Sequence, residues 1–242
     1  RQEGERVGDD LVVGYQDEGV YHNQAELEAD KDRKIQFYAG TIPAANRKPI
    51  VGDTRWKDVN GDGIIDSRDR VVLGRTIPDF IGGFTTDFTY KNINLFVKTD
   101  YAVGHLINNA VRTRGISQVQ GNMNWTSEIR DTWTPENPNA NIPRYDFTDP
   151  RGNHKAGGEG QYSASSRYWE KGDYLALREI TLSYNLPGAA VNNAFKDIRL
   201  FVSGTNLAYF TKYTGYSPEK GGWDNGRFPL PRSFTFGINA TF

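Results

Sequence analysis

The chain of 242 residues carries 29 basic and 30 acidic side chains, a formal net charge of −1. This balance argues against a nucleic-acid partner, which requires a concentrated basic surface. The absence of cysteine excludes thiolate metal sites, and His22, His105 and His154 stand apart from any catalytic motif, so we expect no enzyme.

The strand signals depend on alternation and not on long apolar runs. No stretch approaches the roughly 18 apolar residues of a membrane-spanning helix. A weak signal lies near Leu11 to Tyr15. Clear period-two alternation, typical of strands, then follows in five segments: Phe84–Tyr90, Ile93–Val103, Glu179–Tyr184, Ile198–Ser203 and Arg232–Phe242.

The last of these segments has the strictest pattern. Its apolar residues fall on one face of a strand: Phe234, Phe236, Ile238, Ala240 and Phe242. Its length of about ten residues matches a tilted strand that crosses a bilayer. The pattern therefore raises the hypothesis of a membrane β-barrel.

The connections between the predicted strands alternate between long and short. In chain order they span residues 16–79, 91–92, 105–167, 186–196 and 208–230. Outer-membrane barrels combine short periplasmic turns with long extracellular loops. We therefore predict that the long segments are extracellular and that Phe242 lies at the periplasmic end.

About six strands are too few to close a barrel, since small barrels need about eight. An open edge in lipid would leave backbone amides without partners. We therefore predict an all-β fold in which residues 1–242 form the C-terminal part of a large antiparallel transmembrane β-barrel. The remaining N-terminal part of the same barrel and outer-membrane lipid are its expected partners. A chain that begins at Arg1, without Met or a secretory segment, is expected to be a mature product or a fragment.

One acidic segment within residues 52–74 resembles a calcium loop in its spacing. The candidate oxygen ligands are Asp58, Asn60, Asp62, the carbonyl of Ile64, Asp66 and Asp69. Gly63 stands where such a loop turns sharply, while Asp69 replaces the usual closing Glu. We expect a structural Ca²⁺, although an Asx-rich turn that binds nothing remains the alternative.

The 105–167 segment contains Trp125 and Trp133, followed by a proline-rich run. Asn124 is predicted to cap a short helix that ends near Trp133. The two tryptophans could contact a ligand, or they could pack the loop against itself. Tyr168 and Trp169 precede a strand and are predicted to lie in an aromatic belt at the membrane interface.

Five segments resemble the SusC/RagA-type TonB-dependent outer-membrane transporters of Bacteroidota. They keep their order and spacing over residues 52–242: Gly52–Gly74, Trp133–Pro138, Tyr174–Pro187, Leu200–Glu219 and Phe228–Phe242. The resemblance implies a plugged barrel of about 22 strands in the bacterial outer membrane, with the plug absent from this chain. It also implies import of glycan or peptide oligomers with a SusD-like lipoprotein and the TonB complex, which acts through the plug.

The family's acidic segment corresponds residue by residue to Asp58–Asp69 of this chain. An alternative function from a different class is a calcium-binding surface adhesin or dockerin-like interaction protein. A dockerin would require a second loop of the same kind, and the sequence contains none. A barrel hydrolase or assembly factor would need a set of catalytic residues, which is absent, or a partner domain, which a fragment does not reveal.

Overall fold

The computed structural model describes residues 11–37, 48–117, 124–146, 149, 151–154, 164–187, 195–219 and 221–241. It divides into two compact units. The first comprises Arg1–Ile77, Leu106–Glu170 and Gly221–Gly226, and the second Pro78–His105, Lys171–Lys220 and Arg227–Phe242. No helix in the described ranges is long and apolar enough to cross a membrane.

Strands dominate the secondary structure. In chain order they are β1 (Leu11–Gly14), β2 (Asp17–Val20), β3 (Lys34–Ile35), β4 (Thr54–Trp56), β5 (Ile64–Ile65), β6 (Val71–Arg75), β7 (Phe80–Tyr90), β8 (Ile93–Val103), β9 (Leu106–Asn109), β10 (Trp169–Lys171), β11 (Tyr174–Asn185), β12 (Asp197–Thr211), β13 (Gly222–Asp224) and β14 (Ser233–Thr241). The α-helices are α1 (Gln24–Ala29) and α2 (Ala110–Ser117), and 3₁₀ turns span Ser67–Asp69, Ser127–Asp131 and Ser166–Tyr168.

The second unit is built on a five-stranded sheet in the order β14-β12-β11-β8-β7. Every neighbouring pair is antiparallel. The short connections, 91–92 and 186–196, join strands at one end of the sheet, and the long connections after β8 and β12 join them at the other. The predicted alternation is thereby confirmed for the strands of this sheet, whereas the segment 16–79 does not join two of them. Phe242, the predicted aromatic end, lies outside the described residues.

The weakest predicted strand does not belong to this sheet. The segment at Leu11 is a strand, as predicted, but β1 pairs with β6 in a separate two-stranded sheet. Tyr15 then forms an isolated bridge to Ser165. Its short length explains the difference, since four residues cannot span a bilayer.

A β-bulge in β11 lets its sequence keep one apolar face. Leu175 and Leu177 occupy odd positions, whereas Ile180, Leu182 and Tyr184 occupy even ones. The pairing of β11 with both neighbours shifts between Leu177 and Glu179: Arg178 is the extra residue against β8, and on β12 it lies opposite two residues, Asn206 and Leu207. Because a bulge adds one residue to a strand, the apolar side chains on either side of it share a face.

The first unit has small sheets and local apolar clusters. One cluster of buried side chains contains Tyr15, Ile35, Phe37, Trp56, Ile65 and Ala164. Another contains Ile116, Ile142 and Tyr168. The prediction of Tyr168 as an interfacial belt residue is therefore wrong, because its ring is 1 % exposed within this cluster.

The helix predicted from Asn124 is also different in the structure. A 3₁₀ turn begins after Thr126 and ends at Asp131, and Thr126 makes no side-chain capping bond. A helix with a capped start does occur elsewhere, because Asn23 accepts a hydrogen bond from the Glu26 amide at 3.0 Å and begins α1.

Candidate functional site: the polar face of the large sheet

The pairing register places the large apolar side chains of neighbouring strands on the same face of the sheet. Directly paired residues point to the same side, so the apolar face can be followed across all five strands. Its members include Phe84, Phe88, Leu95, Val97, Leu175, Leu182, Leu200, Val202, Phe236 and Ile238. Many of them are exposed in this chain. A patch of this extent requires an apolar partner, which for strands of this length is lipid.

The opposite face is polar, with Ile81, Phe96 and Phe201 among its apolar exceptions. Its side chains form hydrogen-bonded groups between strands. Near the short connections, the amide nitrogen of Asn94 donates to Asp87 and, at 2.9 Å, to the Thr89 hydroxyl. Arg199 donates to the amide oxygen of Asn94 at 3.4 Å.

A second group lies further along the same face. The hydroxyls of Thr181 and Ser203 donate to the Glu179 carboxylate at 2.8 and 3.4 Å. Thr181 and Ser203 are paired across β11 and β12. The carboxylate is thus held by two neighbouring strands, and this part of the face is polar and ordered.

The third group is ionic and lies towards the long connections. The Arg178 guanidinium binds Asp100 of β8 through Nε and Nη2, with the second bond at 2.8 Å. It also donates from Nη1 to the Tyr209 hydroxyl at 2.7 Å and to Glu219. We refer to Arg178, Asp100, Tyr209 and Glu219 as the ionic group.

A tight contact on the polar face joins the last two strands. Phe201 on β12 lies directly opposite Gly237 on β14. A Cβ atom built on Gly237 would collide with the Phe201 ring. The missing side chain of Gly237 therefore makes room for an aromatic ring on this otherwise polar face.

The sheet's geometry agrees with known outer-membrane proteins. No family model matches the chain. It is 30 % identical to TonB-dependent receptor P26 of Formosa agariphila over 98 % of its own length and 23 % of the relative's. It is 26 % identical to the TonB-dependent receptor SusC of Bacteroides thetaiotaomicron over 81 % of its own length and 18 % of SusC. Over nearly its whole length the chain is thus similar to part of the SusC-type TonB-dependent receptors.

Solved structures agree with this assignment at the level of the fold. The match to the structure of the RagAB peptide transporter covers 95 % of this chain and 22 % of the transporter's chain, with a TM-score of 0.65 and 19 % sequence identity. The RagAB peptide importer in the open-open state gives the same TM-score at 18 % identity. The receptor chain thus spans about a quarter of the proteins it resembles, which fits the predicted C-terminal part of a barrel in the outer membrane.

The acidic segment of the receptor chain forms a compact loop. Asp58 accepts hydrogen bonds from the amides of Gly61 and Gly63 at 2.8 and 2.7 Å. The side chains of Asn60 and Asp62 each accept one from the amide two residues further on, and Ile64 begins β5. These contacts order the loop through its own backbone.

The second half of this loop is organised around Arg68 and Asp69. Buried Asp69 accepts from the amides of Val59 and Asp66, both at 2.8 Å. Arg68 bridges Asp62 and Asp66 at 2.7 and 2.8 Å. Hydrogen bonds from the Arg68 side chain and amide hold the pKa of Asp66 below its usual range.

The donor types of this loop suit calcium, which prefers carboxylate and carbonyl oxygens. Within the described residues, however, no group of three or more acidic or histidine side chains is arranged to hold a metal. Backbone amides and Arg68 take up the carboxylates instead. The calcium site at Asp58, Asn60, Asp62, Ile64, Asp66 and Asp69 stays a prediction.

The tryptophans of the receptor chain differ in their surroundings. Trp133 packs on Gly52 and donates from its indole nitrogen to the His22 carbonyl at 3.4 Å, so it packs the 105–167 segment against the 16–79 segment. Trp125 is 41 % exposed, with its ring centroid 5.5 Å from that of Tyr145. Trp169 packs edge-on against Trp223 at 6.2 Å.

Sequence reasoning missed the ionic group. A signal for Arg178 was present, since the apolar positions of β11 change parity around this residue. No sequence signal paired it with Glu219, because these residues lie 41 positions apart and meet only when the segment after β12 folds back.

Proposed function

We propose that this chain forms part of the wall of an outer-membrane transporter that imports oligomeric nutrients. The observation that carries the proposal is the separation of faces in the large sheet. One face is apolar across all five strands, and the other carries hydrogen-bonded polar and ionic groups. A wall between lipid and an aqueous lumen requires this separation.

The edges of the sheet support a larger barrel. β7 and β14 each pair with one described strand and leave their other edge open. An unpaired backbone edge in lipid costs several kcal/mol per unsatisfied group. We therefore expect both edges to pair with strands from the remaining N-terminal part of the same barrel. The lumen enclosed by that barrel is the proposed import path.

The family supports more specific partners. Glycan or peptide oligomers are the proposed substrates, since one solved neighbour is described as a peptide transporter. A SusD-like lipoprotein is the proposed partner at the long, extracellular connections. Energy is proposed to come from the TonB complex through a plug. The relatives are receptors, which favours transport over the adhesin or dockerin-like alternative.

Uptake by living cells tests the proposal. Bacteria that carry or lack the gene for the full-length receptor would be given fluorescently labelled peptides and, separately, labelled glucan oligomers. We expect accumulation of at least one probe class to require both the receptor and TonB. We also expect a tagged receptor to require detergent for extraction and to retain a SusD-like lipoprotein. A receptor that is soluble in plain buffer as a folded monomer would refute the proposal.

A further inference from the structure

Two residues of the ionic group are fixed to the barrel wall. Asp100 lies on β8 and Arg178 on the neighbouring strand β11, where the bulge gives Arg178 its position. The guanidinium uses Nε and Nη2 for the two oxygens of Asp100. Such bidentate pairs fix both position and orientation. The position of the remaining nitrogen, Nη1, is therefore fixed by β8 and β11 and does not depend on Glu219.

Two hydrogen-bond donors of the ionic group that Asp100 does not use point to the same carboxylate oxygen. Nη1 of Arg178 and the hydroxyl of Tyr209 both donate to Oε1 of Glu219. Tyr209 is itself placed by β12, and its ring lies edge-on to that of Tyr174 with centroids 6.1 Å apart. Tyr174 also donates from its hydroxyl to Asp100 at 3.3 Å. The wall thus presents two organised donors to a single carboxylate oxygen.

The carboxylate that fills this position comes from a different kind of segment. Glu219 follows the end of β12, in the connection that leads to β13. The same connection is held at Pro218, whose carbonyl accepts a hydrogen bond from Nε2 of buried His105 at 3.0 Å. The side chains of Arg178 and Glu219 are 19 % and 28 % exposed, so solvent reaches the pair. A dissolved carboxylate can therefore compete with Glu219.

We propose that Arg178 and Tyr209 form a carboxylate-binding site on the polar face, which Glu219 fills until a carboxylate-bearing ligand displaces it. This inference rests on the proposed function and narrows its substrate class. The ligand is an oligomer with a carboxylate, either a peptide, which carries one at its C-terminus, or a glycan that contains uronic acid. Both offer the same charged acceptor to two organised donors.

The charges of the site favour a singly charged group. The charges of Asp100 and Arg178 cancel, so the sum of charges at the site is the single negative charge of Glu219. A ligand carboxylate that replaces Glu219 leaves this sum unchanged. A phosphate dianion would add a further negative charge beside Asp100, where like charges repel. The site is therefore expected to prefer carboxylates over phosphates.

Removal of the internal competitor tests the inference. Calorimetry would use the full-length receptor in detergent with four probes: tetra-alanine with a free or an amidated C-terminus, and trigalacturonate or its methyl ester. In Glu219→Gln we expect at least one free carboxylate probe to bind about tenfold more tightly, equivalent to about 1.4 kcal/mol. The amide and the ester should bind as they do to the unchanged receptor.

Glu179→Gln is the matched control, because it removes one negative charge from the same face at a carboxylate held by Thr181 and Ser203. It should leave all four affinities unchanged. Adding Arg178→Gln to Glu219→Gln should abolish the gain, and adding Tyr209→Phe should reduce it while keeping the aromatic ring. The Tyr209→Phe result applies even if loss of Arg178 prevents folding.

The outcomes separate the two proposals. A gain for tetra-alanine identifies peptides and a gain for trigalacturonate identifies acidic glycans, and either supports the site. Equal gains in Glu179→Gln, or equal gains for the amide and ester, would overturn it as a general charge effect. Uptake that depends on the receptor and TonB while no probe distinguishes the variants would overturn the site and leave the proposed function standing.

Discussion

Arg144 donates from Nε to Oδ1 of Asp53 at 2.7 Å, although the two residues lie 91 positions apart. Asp53 is fully buried, and the same oxygen accepts from the side-chain amide of Asn153 at 2.9 Å. The second oxygen accepts from the Ile50 amide at 2.8 Å. Three distant parts of the first unit are thereby joined at one buried carboxylate.

Loss of this pair should loosen the first unit locally. Arg144→Ala removes the nearer of the two cations at buried Asp53 and leaves Arg151 at 3.5 Å; the loss of this charged hydrogen bond costs about 3 kcal/mol. Hydrogen exchange of the amides of Ile50 and Thr54 should therefore become about 100-fold faster, since 1.4 kcal/mol is a factor of ten. Arg68→Ala is the control, because Arg68 is 58 % exposed and its pairs are worth at most about 1 kcal/mol. Equal exchange in the two variants would contradict a structural role for Asp53.

Alkaline pH should destabilise the packing around Tyr21. Burial raises the pKa of this buried phenol from 10.0 to about 12. The folded state therefore binds the proton more tightly than the unfolded state. The associated stability is complete below pH 10 and is lost as the pH rises through about 12.

Denaturation followed by tryptophan fluorescence at pH 9 and pH 11.5 would measure this loss. We expect the free energy of unfolding to change less between these two pH values in Tyr21→Phe than in the unchanged receptor. At pH 9 the free energy of unfolding should be lower for Tyr21→Phe than for the unchanged receptor, because the variant lacks the hydroxyl that donates to Asp30 at 3.0 Å. Exposed Tyr216 provides the control, since Tyr216→Phe should keep the original pH dependence. A Tyr21→Phe receptor with unchanged pH dependence would refute the prediction.

The assignment of faces predicts opposite results for two adjacent residues. Phe236 lies on the apolar face of β14 and Thr235 on the polar face. An arginine facing lipid near the bilayer midplane costs about 2–4 kcal/mol. Phe236→Arg should therefore reduce the amount of folded receptor in outer membranes, measured by heat-modifiable gel migration, while Thr235→Arg should not. Equal losses would mean that the faces are assigned incorrectly.

The contact between Phe201 and Gly237 makes a further prediction. Gly237→Val places two methyl groups against the Phe201 ring, and overpacking of this kind costs about 1–3 kcal/mol. The same gel assay should show less folded receptor, and adding Phe201→Ala should restore it. Ala240→Val adds the same methyl groups to the apolar face of the same strand and should be tolerated. A double variant no better than Gly237→Val would contradict this explanation.

Calcium binding to the Asp58–Asp69 loop would have to displace Arg68 from Asp62 and Asp66. Arg68→Gln should therefore tighten binding of Ca²⁺, measured by calorimetry on the full-length receptor. Asp58→Asn should weaken it, because Asp58 supplies a predicted ligand. A loop that stays empty at millimolar calcium in both the unchanged receptor and Arg68→Gln would exclude the site.

Local periodicity allowed several features to be predicted. The alternation from Phe84 to Tyr90 and from Ile93 to Val103 identified two strands, and the polar pair Lys91 and Asn92 identified their hairpin. These features depend on neighbouring residues, because a strand's side chains alternate with a period of two. The acidic loop was also visible, because its spacing is local.

Sequence alone therefore determined where the membrane strands of this receptor lie, that their connections alternate in length, and which family it resembles. Only the tertiary structure decided that β1 pairs with β6, that Tyr168 is buried and that Glu219 reaches Arg178 and Tyr209. Each of these depends on residues far apart in the chain, whose meeting is set by strand pairing and by the path of the long connections. No local pattern in the sequence contains that information.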